Sequence, residues 1–148
     1  MSRVMRQRRL AAAFVLALGA SCAGRPQPMT TVAPTAQATP SGTLAVAVSA
    51  PGACRGGREH CAVAAAMETV LFRGVPGSGQ PLPLVADERT ARDAHGDFIT
   101  ALTSGDLGRQ YVLRADAGGD DRSYVVTLNI DRLRDALVRE GVIRRFGY

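Results

Sequence analysis

Lysine is missing from this chain. A P-loop needs one to reach the phosphates of a nucleotide, so the glycine-rich stretch Pro76-Gly77-Ser78-Gly79 cannot be one. Its spacing is not the GxGxxG of a dinucleotide fold either. Since all 18 basic side chains are arginines, the bias fits a GC-rich genome better than a mechanism. Histidine is scarce: His60 and His95 are the only two, which restricts any acid–base scheme built on imidazole. A nucleophile elbow at Ser78 would need glycine two places earlier and finds Pro76. Asp116, Asp120 and Asp121 surround a turn, but the alternating ligands and distal glutamate of an EF-hand loop are missing. Turn-forming carboxylates in water account for them. There is no internal repeat. The sequence assigns no catalytic residue, no metal ligand set and no cofactor.

Long apolar runs are also lacking. The apolar run at residues 10–18 is too short for the roughly 20 residues of a permanent membrane-spanning helix. It follows Arg3, Arg6, Arg8 and Arg9 and precedes small residues, so residues 1–21 have the three-part layout of a secretory signal. The run ends in Gly19-Ala20-Ser21-Cys22, which resembles the lipobox of bacterial lipoproteins, where signal peptidase II cuts before a cysteine linked to diacylglycerol. The resemblance implies a lipid at Cys22, a membrane as partner through that anchor, and an address in the cell envelope, on the outer membrane facing periplasm or exterior. One position departs from the family pattern: the third residue before the cysteine is usually Leu and here is Gly19, with Leu18 one step back. Ordinary cleavage after Ala23 is the alternative, because Ser21 and Ala23 are both small. Either route exports the rest of the chain.

The formal charge of +5 and the pI near 9.9 include the four signal arginines. Without them the chain is close to balance against its 13 acids, and the nucleic-acid partner that a high pI would suggest is not expected. Residues 22–42 carry the lipidated cysteine and then Pro26, Pro28, Pro34 and Pro40 among Thr, Ala, Gln and Ser. With no hydrophobic periodicity to offset ordering entropy, this stretch reads as a disordered tether. Its reach is on the order of 25 Å as a coil and about 60 Å extended.

Residues 43–148 are long enough for one α+β domain with a core. A β-branched and small apolar run over 43–50, stopped by Pro51-Gly52, predicts a first strand. Val63, Met67, Val70 and Leu71 recur at helical spacing over 59–73, with Gly74 and Pro76 as the stop. A proline-rich loop comes next. Asp87 then caps a helix running to 104, with an apolar stripe of Ala91, Ala94, Phe98 and Leu102 and Gly105 as its end. Strands over 109–116 and 122–130 flank Ala117-Gly118-Gly119-Asp120-Asp121, a strong hairpin signal. In the second strand Tyr124, Val126, Leu128 and Ile130 share the core face. A third helix begins at Asp131, turns Leu133, Leu137 and the stem of Arg134 inward, and ends at Gly141 with Val142 as its hydrophobic partner. The expected architecture is a two-layer domain, about three helices over one face of a three-stranded sheet with a C-terminal antiparallel hairpin.

Three cysteines remain to be assigned. Cys22 is consumed by lipid or discarded, and Cys54 and Cys61 form an even pair in an exported domain, where a disulfide is expected. Zinc bound by Cys54, His60, Cys61 and His95 is one alternative, weakened because adjacent residues 60 and 61 point to different helix faces. Two independent buried thiols are the other. The stretch Leu71-Phe72-Arg73-Gly74-Val75-Pro76-Gly77-Ser78, with the later residues His95 to Phe98, loosely resembles uncharacterised exported bacterial proteins; the resemblance implies no activity. The expectation is a lipid-anchored binding or accessory module contacting another envelope protein or the cell wall. The alternative is a small secreted enzyme or metal-binding protein using His60 and His95.

Overall fold

The computed structural model describes residues 33–34, 40–50, 54–104, 106–119 and 122–144. The signal over 1–21, Cys22, the Gly105 helix end and the Asp120 and Asp121 carboxylates fall outside them. Within them the chain is the α+β domain expected: three helices and an antiparallel sheet with a C-terminal hairpin.

Alternation of side chains builds the sheet. Strand β1 is Ala33–Pro34, β2 is Thr43–Ser49, β3 is Val112–Ala117 and β4 is Ser123–Asn129, in the spatial order β1-β2-β4-β3. β2 and β4 pair antiparallel in the register Leu44↔Leu128, Val46↔Val126 and Val48↔Tyr124. One pleat face therefore collects Leu44, Val46, Val48, Val126 and Leu128, all buried. β3 begins three residues later than expected, because Gly108–Tyr111 forms a 3-10 turn. It then carries a bulge between Val112 and Arg114, which leaves Leu113 56% exposed at the sheet edge. The two-residue β1 lies within the stretch expected to be a disordered tether, and it pairs with Ala47 and Val46 of β2.

Helix α1, Arg58–Phe72, contacts β2, β3 and β4. It buries Ala62, Val63, Ala66, Met67, Val70 and Leu71, a stripe three to four residues apart. Gly74, at φ +73, ends the helix, and a Cβ there would run into the Pro81 carbonyl. That close approach brings the proline-rich loop back so that the Leu84 and Val85 N–H groups donate to Val70 and Leu71 at 3.1 and 2.9 Å. Two helix-end carbonyls are thus satisfied from a loop a dozen residues downstream.

Helix α2, Glu88–Thr103, packs on α1 and on the 3-10 turn. Asp87 caps it as expected, accepting from the Thr90 N–H at 2.9 Å and the Thr90 hydroxyl at 2.8 Å. Its stripe differs from the one expected: Ala91, Ile99 and Leu102 are buried, Phe98 is half-buried and Ala94 is exposed. His95 is the cause. Its non-helical backbone, φ −134° and ψ 34°, kinks α2 just before Gly96 and shifts the phase of every later residue. Arg92 fastens α2 to α1, donating to Glu68 at 3.0 Å and Glu88 at 2.8 Å with its guanidinium 4.8 Å from the Phe72 ring centre.

Helix α3, Ile130–Arg139, starts one residue before Asp131, with Asn129 as the cap accepting from the Arg132 N–H at 2.9 Å. Leu133, Ala136 and Leu137 face the core. Arg134 does not: it is exposed and donates to Gln80 Oε1 at 3.0 Å and Asp131 Oδ1 at 3.5 Å. Ala136, two residues on, takes the inward position with no charge to solvate. Gly141, at φ +74, closes α3 as expected: its N–H donates to Val138 at 3.0 Å and that of Val142 to Leu137 at 2.9 Å.

Candidate functional site

Two segments that are distant in sequence, residues 84–95 and 141–144, converge on a groove of about 640 Å³. Residues 84–87 form one wall, the first half of α2 another, and residues 141–144 beyond α3 the third. Each has a local reason to be there. Leu84 and Val85 are held by their backbone bonds to α1. Gly141 turns the chain so that Val142 and Ile143 fold back against the core. The kink in α2 sets the half-buried His95 beside Gly141, where a Cβ would stand 3.9 Å from His95 Cε1.

The lining is largely apolar, with a few polar groups among it. Asp87 is engaged at both oxygens by Thr90, and these bonds to the charged form hold its carboxyl below the ordinary value of 3.8. His95 and Arg144 have no hydrogen-bond or ion-pair partner among the described residues. A concave, mainly apolar surface with a few convergent polar groups is the usual form of a small-molecule site. Sequence reasoning missed the groove because it depends on two segments some fifty residues apart meeting. The traces it left were His95-Gly96 inside an otherwise regular helix and the apolar pair Val142-Ile143 after the last one.

The two cysteines of the domain are joined. Cys54 and Cys61 form a disulfide with α-carbons 6.3 Å apart, within the span such a bond requires. It anchors the loop to the first turn of α1, whose N-cap, Gly57, has no side chain to cap with. The bond uses both sulfurs, so the four-ligand zinc set is not assembled. His60 sits over Gly56 in the disulfide loop, whereas His95 lines the groove without it.

The remaining candidates are tied up locally. The Ser78 hydroxyl donates to the Val75 carbonyl at 2.6 Å and accepts from the Gln80 N–H at 3.0 Å, building a turn. Asp116 accepts from Arg114 Nε at 2.8 Å. A polar depression of about 310 Å³ between Gly42 and Arg134 is crossed by the Arg134–Gln80 bond.

No family model, curated protein or solved structure matches the chain. The groove's chemistry therefore rests on its own geometry.

Proposed function

We propose that this protein is a lipid-anchored binding or accessory module of the bacterial envelope, tethered through Cys22 and presenting the groove beside His95 to a ligand or partner. The observation that carries this reading is the disulfide. Of three cysteines, the two in the domain pair with each other, as suits an oxidising compartment. The third stands alone at the end of a signal-like run, where a lipoprotein has its lipid. The multiple acyl chains of a bacterial lipoprotein would hold the protein firmly, whereas one chain alone gives only marginal binding. An envelope protein or the cell wall is the expected neighbour on the other side. An enzyme built on paired imidazoles is disfavoured, because His60 is not among the groove's lining residues.

Fractionation of cells expressing the intact precursor tests the reading. Wild-type protein should sediment with membranes and Cys22→Ser should move to the soluble fraction. Wild-type protein that is soluble after cell disruption contradicts it.

A further inference from the structure

We propose that the groove between α2 and the segment after α3 takes a medium-chain carboxylate, its acyl chain on the apolar floor and its head group on Arg144 and His95. This rests on the reading of the domain as a binding module. The floor is Leu84, Val85, Ala91, Val142 and Ile143, and about 640 Å³ lies within the roughly 300 to 1,000 Å³ typical of small-molecule sites.

The charge pattern selects the head group. Asp87, the acid in the lining, already accepts from the Thr90 N–H and hydroxyl at 2.9 and 2.8 Å. Arg144 is exposed and unpaired among the described residues; its guanidinium offers the planar fork that binds a carboxylate through two parallel bonds. His95 is likewise without a partner there, and its imidazole has a donor nitrogen in either protonation state. Two unengaged donors and one engaged acceptor favour an anion over a cation, and the apolar floor favours a head with a hydrocarbon body over a free inorganic ion.

The test uses the mature-length chain carrying Cys22→Ser, titrated with octanoate, octanol and octyltrimethylammonium and followed by amide chemical shifts. Octanoate should bind saturably, with shifts confined to residues 84–95 and 141–144, and at least tenfold more tightly than the other two. Arg144→Gln should weaken octanoate about tenfold, equivalent to about 1.4 kcal/mol for one charge-assisted contact, and leave octanol unchanged. Because Arg144 is exposed, an unaltered amide spectrum elsewhere will verify that the variant folds. No saturable shift at those residues, equal binding of the cationic amphiphile, or an indifferent Arg144→Gln would overturn the proposal. The membrane fractionation is independent of all three, so a failed titration beside membrane-bound wild-type protein sinks the ligand and spares the anchor.

Discussion

On the sheet side of the core, β2 and β4 run unbroken over seven residues each, and Leu44 and Val46 meet the buried Leu128 and Val126 in register. On the groove side, α2 abandons its own periodicity at His95, and the chain after α3 leaves Val142 and Ile143 only partly covered. The same apolar residue types serve both sides. The sheet side satisfies its backbone with a continuous β2–β4 ladder and buries Leu44, Val46, Val48, Val126 and Leu128 on its inner face. The groove side is closed by two positive-φ glycines, Gly74 and Gly141, and by hydrogen bonds from a loop. Its apolar surface is left concave and partly open. The difference places the continuous core in the sheet and α1, and the concave apolar surface where regular structure is interrupted.

Substitutions on the two sides probe that contrast. The largest effect is expected in the sheet, where Leu128 is 0% exposed. Leu128→Ala should cost about 2 to 5 kcal/mol, and its neighbour Thr127→Ala, on the opposite pleat face, much less. Similar urea midpoints for the two variants would mean that the facing of β4 is misassigned. Next comes the disulfide. Opening it with Cys54→Ser and Cys61→Ser together should cost about 2.5 kcal/mol, the chain-entropy value for so short a loop, read from thermal or denaturant unfolding. An unchanged midpoint would show that the loop after β2 contributes nothing to holding α1.

Gly141→Ala tests the groove side directly. A left-handed backbone costs an L-residue about 1 to 2 kcal/mol, and φ +74 leaves no way to avoid it. The variant should lose that stability and perturb the amide signals of His95 and Val142. The smallest effect concerns Asp87. Its folded carboxyl titrates below the ordinary 3.8, so its contribution is present above that value and fades as pH falls through the folded one. Asp87→Asn, which still caps but does not titrate, should match the wild type near neutrality and lose less stability on acidification below about pH 4. An Asp87→Asn variant that loses more stability than the wild type on acidification would show that the fold does not favour the charged carboxylate.

Much of the sheet side was legible in the sequence. Alternation over 122–130 assigns the core face of β4, because a pleat leaves a side chain only two directions. Gly118-Gly119 marks the hairpin, and Gly141 followed by Val142 announces the end of α3. The departures have local causes. The stripe through Ala94 assumes an unbroken 100° step, which the His95 kink removes. Arg134 was expected to lay its stem on the core, but Gln80, from a loop 54 residues away, draws it outward. The pairing of Ala33–Pro34 with β2 could not be read from two residues in a proline-rich stretch. The groove was the least legible feature, since the signals in its walls, the Asp87 cap and the Gly141-Val142 helix end, speak only of local helix boundaries and its shape exists only once α1, α2 and α3 have packed.

Intact mass spectrometry of the membrane-extracted mature protein, alkylated without reduction, reads the anchor and the disulfide in one experiment. The expected species has its N-terminus at Cys22 and carries diacylglycerol, with neither Cys54 nor Cys61 alkylated until reductant is added. An unlipidated chain beginning after Ala23, or free thiols at Cys54 and Cys61, would contradict the proposal of a lipid-anchored, disulfide-pinned envelope module.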